Sequence, residues 1–372
     1  MKFTVIGPVY PYRGGIAHYT AQLIQALSIA KHSVYSVSYK RQYPNWLYPG
    51  KSDKDPSQSV FYIDAAFLLD PVNPITWYKT ANQIDKKRPD LVIIQWWTTF
   101  WAPAYAVLGA ILRRKKIRVG YIIHNVLPHE QHFFDPLLAK IALTQGSVFL
   151  AQTDTEKQKL QKLLPGREVM VCSLPAYNFL ADRQIPKEVA RKRIGIQLDR
   201  PLILFFGIVR PYKGLKYLID SMALLKRENL SNQPFLLVAG EIWEDKSIYQ
   251  DQIKRLDLQD CVRLDDRYVP DEEVAIIFSA VDMLVAPYVD GTQSAAVGLA
   301  LGFGLPLVVT EIVAGGIAEE NKQYIQVVKA ADAEAISQAI QKVISDPGPK
   351  YNKEINGKED WKKLVGILES LA

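Results

Sequence analysis

Strand-like apolar runs alternate with helical patterns along almost the whole chain, and they do so in two successive series. In the first half the runs are Phe3–Ile6, Ser33–Ser38, Leu91–Ile94, Val119–Ile123, Val148–Ala151 and Val169–Cys172. In the second they are Leu202–Phe206, Phe235–Ala239, Val262–Leu264, Met283–Ala286, Leu307–Val309 and Tyr324–Val328. Helical periodicity fills several of the gaps, over Ala17–Ser28, Pro103–Arg113, Pro136–Thr144, Thr155–Leu164, Leu215–Arg227 and Ala333–Ser345. Short, almost wholly apolar strands separated by amphipathic helices predict parallel sheets covered on both faces. Two such series in 372 residues predict an α/β chain of two Rossmann-like, doubly wound domains. The join is expected near Ser173–Arg183, which gives domains of residues 1–175 and 176–358.

Composition narrows the partners. The net charge of +6 is uneven: residues 1–175 hold 21 Lys+Arg against 11 Asp+Glu, whereas residues 176–372 hold 24 against 28. A basic first half suits something anionic: a membrane surface, a phosphorylated acceptor or nucleic acid. No nucleic-acid module signature is present, which disfavours the last. Two cysteines, Cys172 and Cys261, make neither a disulfide framework nor a four-ligand metal site and point to a reducing, cytoplasmic setting. The opening residues read as a first strand, not a signal peptide, and no apolar run is long enough to span a bilayer. Residues 41–60 read as a long exposed excursion of the functional or mobile kind.

Four constellations carry chemistry. The run Leu202–Phe206 ends at Gly207, and Arg210, Lys213 and Gly214 follow before the next helix. This puts two cations in the loop at the carboxyl end of a strand, where open α/β sheets bind ligands, beside a helix amino terminus suited to a diphosphate. The plainer reading is a turn with two solvated charges. The first turn, Gly7 to Tyr19, is not the dinucleotide fingerprint; its Gly14-Gly15 pair either lets backbone amides approach a phosphate or merely forms the turn. After Tyr121–Ile123 come His124 and Asn125, then His129, Glu130 and His132, without the His-Glu-x-x-His zinc spacing. A polar acceptor-binding role for His124 is the leading expectation, ahead of a structural loop and a metal site. Trp96, Trp97 and Trp101 either line a cleft or pack. The run Arg113-Arg114-Lys115-Lys116 is either a solvated helix end or a contact with anionic lipid. Finally, Asp290, Gly291, Thr292, Gln293 and Ser294 open a helix rich in Ala and Gly, whose small side chains admit a phosphate or sugar or simply pack closely.

Together, in their order and spacing, Gly14-Gly15, His124-Asn125, Gly207…Arg210…Lys213-Gly214, Gly291–Pro306, Val308-Val309-Thr310 and Gly315-Gly316 resemble the family 4 glycosyltransferases of GT-B fold over nearly the whole chain. That resemblance implies two domains facing across a cleft. The second holds a nucleotide-sugar, the first an acceptor (a glycan or lipid-linked intermediate), and a last helix, residues 359–372, returns to the first. It implies that Arg210 and Lys213 neutralise the departing diphosphate, and that His124 contacts the transferred sugar or the acceptor. Gly15, Asp290, Gly291, Thr292, Gln293 and Ser294 would serve the donor, and Gly14, Asn125 and Trp97 the acceptor. It further implies retention of configuration and no metal or other cofactor. One departure stands out: the family's usual Glu-x7-Glu pair falls on Gly291 and Leu299, leaving a Thr-Gln-Ser variant. A nucleotide-sugar epimerase and a non-catalytic sugar-binding scaffold are the alternatives.

Overall fold

The computed structural model describes every residue except 45–47, 49, 51, 59–61, 129, 197–198, 229–231, 292 and 347–355, and the side chains of 320 and 356–358. Part of the 41–60 excursion, His129 and Thr292 therefore lie outside the described residues. The chain divides into two compact units. One comprises Met1–Pro56, Val60–Ser173 and Trp361–Ala372; the other comprises Ser57–Ser59 and Leu174–Asp360.

In the first unit the order is β1 (Lys2–Ile6), α1 (Gly15–Ile29), β2 (Ser33–Tyr39), β3 (Ala66–Leu69), α2 (Pro74–Lys87), β4 (Leu91–Trp96), α3 (Ala102–Arg114), β5 (Val119–Ile123), α4 (Asp135–Leu143), β6 (Val148–Ala151), α5 (Asp154–Leu163) and β7 (Met170–Val171). Its sheet runs β3-β2-β1-β4-β5-β6-β7, parallel throughout. The order reverses between β1 and β4, so the loops after these strands splay apart and open a crevice.

The second unit continues with α6 (Lys187–Arg193), β8 (Leu202–Phe206), α7 (Leu215–Arg227), β9 (Phe235–Ala239), α8 (Ser247–Arg255), β10 (Val262–Asp265), α9 (Asp271–Ala280), β11 (Met283–Ala286), α10 (Ala295–Gly302), β12 (Leu307–Thr310), α11 (Glu311–Ala314), β13 (Ile325–Val328) and α12 (Ala333–Ser345); α13 (Asn356–Leu371) closes the chain. The order β10-β9-β8-β11-β12-β13 is again parallel and reverses between β8 and β11. Both sheets are the covered parallel kind that the apolar runs predict. Among the described residues no helix is long and apolar enough to cross a membrane.

Sequence periodicity did not reveal β3 or α2. The strand is only four residues long and partly exposed. The helix depends on local chemistry: the Asn73 side chain accepts from the Ile75 amide at 3.1 Å, Pro74 sits in the first turn, and Arg88 ends it in the left-handed region. Trp96 and Trp101 are fully buried, and Trp96 Nε1 donates to the Val126 carbonyl at 3.1 Å. These two indoles pack in the core and line no cleft.

Candidate functional site

In the second unit the candidate residues lie in the loops after β8 and β11, on either side of the strand-order reversal. Gly207 follows β8 with φ +98°, a conformation that favours glycine. Beyond it the loops after β8 and β9 stay in register. The Val209 amide donates to the Glu241 carbonyl at 2.8 Å, and the Trp243 amide donates to the Val209 carbonyl at 3.0 Å. This ladder fixes Arg210 in an extended conformation at the start of a short 3-10 turn, Pro211–Lys213. The Arg210 guanidinium carbon lies 4.8 Å from the centre of the Trp243 ring. Trp243 Nε1 in turn donates to Glu241 Oε2 at 3.0 Å. An indole face attracts a cation and so helps to hold the guanidinium in position.

Lys213 is half-buried, with Nζ 5.3 Å from the centre of the Tyr288 ring. Its amine lies 3.1 Å from the point a Cβ on Gly207 would occupy, so a larger residue there would crowd it. Burial lowers its pKa below the ordinary lysine value; Arg210 pushes the same way and Tyr212 opposes. Among the described residues no carboxylate lies within ion-pairing distance of Lys213. A partly desolvated ammonium beside a guanidinium disfavours its own charge and is relieved by an incoming anion.

The loop after β11 closes on this turn from the other side of the reversal. The Val289 amide donates to the Tyr212 carbonyl at 2.8 Å. The Tyr288 carbonyl accepts from Thr310 Oγ1 at 2.7 Å, and its hydroxyl lies 3.0 Å from Ser294 Oγ. Gly214, at φ +69°, makes the approach possible, because a Cβ there would fall 2.0 Å from the Pro287 carbonyl oxygen. The Asp290 carboxylate accepts from the Gly291 amide at 2.7 Å, and Gly291 has φ +125°. Ser294 is buried at the amino end of α10 and Gln293 is half-buried beside it. Both line a small hollow with Gly298 and Gly316. Leu299 is buried, so the position of the family's second glutamate presents only hydrocarbon.

In the first unit His124 follows β5, and its amide extends the ladder to the Trp96 carbonyl at 2.9 Å. The ring is buried against the edge of Tyr19, with centroids 4.9 Å apart. Its Nδ1 lies 3.0 Å from Gln152 Oε1 and its Nε2 lies 2.6 Å from Gln95 Oε1. Burial lowers its pKa to about 3, against a smaller opposing effect of Gln152. A neutral imidazole carries one N–H, so one of the two carboxamides must present its NH2 group. Gln95 Nε2 has no other partner among the described residues. Turning either the Gln95 or the Gln152 amide supplies that donor. His124 is thereby a neutral, clamped ring whose two nitrogens are already engaged.

The adjoining loop is tied to the first turn of α5. The N-cap Thr153 Oγ1 accepts from the Glu156 amide at 3.1 Å, and the buried Glu156 carboxylate accepts from the Val126 amide. Asn125 is half-buried just before it, and Trp97, also half-buried, donates from Nε1 to Tyr43 Oη at 2.9 Å. Gly14 adopts φ +103° directly before α1, which Gly15 opens. The His132 amide donates to Asp135 Oδ2 at 2.6 Å, which accounts for this stretch as a structural turn. Arg113 and Arg114 end α3 exposed, Lys115 donates to Asp85 Oδ2 at 2.7 Å, and Lys116 takes φ +62°.

Sequence reasoning missed Gln95, Gln152 and the Glu241–Trp243 support of Arg210. A signal existed for the first two: each is a carboxamide at the end of an otherwise apolar strand, Leu91–Trp96 or Val148–Ala151.

Residues 13–173 match the model of Glycosyltransferase Family 4, and residues 186–361 match that of Glycosyl transferases group 1. A D-inositol 3-phosphate glycosyltransferase of Thermobispora bispora is 30% identical over 146 residues, which is 37% of this chain and 34% of that protein. The match thus spans about a third of that relative's length. Among solved structures, Anabaena HepE in complex with UDP and glucose superposes with a TM-score of 0.70 at 13% identity, covering 100% of both chains. Sucrose-phosphate synthase from Thermosynechococcus elongatus gives 0.68 at 17% identity, covering 100% of this chain and 99% of that one. These likenesses show the GT-B fold. Matched by the two family models over all but a short linker and the two ends, the chain belongs to the family 4 glycosyltransferases.

Proposed function

We propose that this chain transfers a sugar from a nucleotide diphosphate sugar to a glycan or lipid-linked acceptor at the cytoplasmic face of a membrane, with retention of configuration. The second unit takes the donor and the first the acceptor. One observation carries this reading: Arg210 and Lys213 stand together at the strand-order reversal, each seated on an aromatic ring, and Lys213 has no carboxylate within ion-pairing distance among the described residues. Charge accumulates on the β-phosphate as the glycosidic bond breaks, and fixed cations stabilise that state more than the intact donor. The UDP complexes of the HepE structures support a nucleoside diphosphate as the ligand of this fold.

The sugar would be held by Asp290, Gly291, Gln293 and Ser294, with Thr292 in the same loop. With its pKa lowered by burial to about 3, His124 is neutral near pH 7 and only a weak base. Its role is to hold the loop bearing Asn125 in place. The direct test is release of nucleoside diphosphate from a panel of donors with extracted lipid-linked acceptors. Loss of a charge-assisted hydrogen bond costs roughly 1.5–3 kcal/mol, so Arg210→Ala and Lys213→Ala should each slow turnover by at least about tenfold. Turnover within a few-fold of wild type in both variants would refute the phosphate assignment.

A further inference from the structure

Helix α6 packs against α9, and the two helices enclose with the edge strand β10 a cavity of about 260 Å³. Its apolar wall is Leu237 of β9, Ile194 just after α6, and Ile276 and Ile277 of α9. Leu237 and Ile277 are buried, and Ile194 and Ile276 are half-buried. Glu273 stands three and four residues before these two isoleucines, so α9 turns one mixed face to the cavity. Arg193, Arg263 and Arg267 also line it, and all three are exposed. The cavity is separate from the phosphate site. Strand β10 lies two strands from β8, and no lining residue belongs to the loops after β8, β9 or β11.

The charges on this wall do not cancel. Three guanidinium groups meet two carboxylates, Asp265 and Glu273. Arg267 engages both: its Nε donates to Asp265 Oδ1 at 2.9 Å, and its Nη2 donates to Glu273. Arg193 and Arg263 are left with no carboxylate within ion-pairing distance among the described residues. Arg263 Nη1 donates to the Ile194 carbonyl at 3.0 Å, which fixes this guanidinium at the cavity while using one arm of its fork. The site therefore presents two uncompensated cations beside hydrocarbon.

We propose that this cavity is a second ligand site, which takes a small phosphomonoester with a compact apolar body. A phosphomonoester carries a charge of about −1.5 to −2 near pH 7, which two unpaired guanidinium groups match. The planar forks of Arg193 and Arg263 suit its oxygens. The apolar body would cover Ile194, Leu237, Ile276 and Ile277, and removing that surface from water adds affinity that a bare ion cannot gain. Asp265 and Glu273 also face the cavity, so a ligand with further negative charge is penalised. The occupant is thus neither the nucleotide donor nor the acceptor, and the site goes beyond sugar transfer.

The test is isothermal titration of the full chain with phenyl phosphate, compared with inorganic phosphate and with benzoate. Wild type should bind phenyl phosphate about tenfold or more tighter than either comparison. Arg193→Glu and Arg263→Ala change exposed side chains, and each should weaken that binding by about tenfold or more while melting close to wild type. If Arg193→Glu melts early, Arg193→Ala takes its place. Arg210→Ala, which disables the proposed nucleotide site, should leave phenyl phosphate binding intact. UDP binding by Arg193→Glu should match wild type. A chain that binds no UDP, yet holds phenyl phosphate in an Arg193-dependent way, would sink the nucleotide reading and support this one. No binding of phenyl phosphate to wild type, equal binding of inorganic phosphate or benzoate, or binding that Arg210→Ala removes and Arg193→Glu does not, would each overturn the proposal.

Discussion

Replacing Gly214 by alanine should damage the nucleotide site from outside the ligand contacts. Gly214 sits at φ +69°, where a side chain costs about 1–2 kcal/mol through its clash with the local carbonyl. The new Cβ would also lie 2.0 Å from the Pro287 carbonyl oxygen, whereas ordinary van der Waals contact begins at 3.4 Å. The loop after β11 must therefore retreat by more than an ångström. That movement breaks the 2.8 Å bond from the Val289 amide to the Tyr212 carbonyl, worth about 1 kcal/mol. Together the loss is about 2–3 kcal/mol, or roughly 4–12 °C in the melting of the second unit. Tyr288, which lies beneath Lys213, moves with the loop, so affinity for UDP or GDP should fall by about tenfold or more. Differential scanning calorimetry and isothermal titration of Gly214→Ala measure both. A variant that melts within about 2 °C of wild type and binds nucleotide equally well would refute the idea that close loop contact builds the site.

Two further outcomes concern pH. Buried His124 titrates near 3 in the native chain and near 6.5 when unfolded. Its contribution is therefore constant above about pH 6.5, and stability is lost as pH falls from 6.5 towards 3, by about 3 kcal/mol at pH 4.5. His124→Gln should remove that share of the acid sensitivity, seen as a smaller gap between urea midpoints at pH 7 and 4.5; an unchanged gap would show the ring to be solvated. Lys213 has a pKa below the ordinary lysine value, so UDP affinity should decline as pH rises through that lowered value. Lys213→Arg, charged throughout, should flatten the decline between pH 7 and 9.5; parallel profiles would exclude Lys213 from the phosphate contact.

The architecture was legible because parallel strands are buried on both faces and so appear as continuous apolar runs. Leu202–Phe206 and Met283–Ala286 have the same bounds in sequence and structure. Elements built from capping or edge geometry escaped, as β3 and α2 show. Arg210 and Lys213 could be singled out because glycines punctuate their loop. Their supports could not, since Trp243 comes from a different loop and Tyr288 from the loop after β11, far along the chain. Trp96 and Trp101 show the reverse failure: an aromatic at a strand end has the same spelling whether it packs or binds.

The central claim is that Arg210 and Lys213 grip the diphosphate of a nucleotide-sugar. Isothermal titration of the intact chain with UDP and GDP tests it most directly. At least one should bind to wild type, and Arg210→Ala and Lys213→Ala should each weaken binding by about tenfold or more. Absence of binding to both nucleotides, or affinities that neither substitution changes, would contradict it.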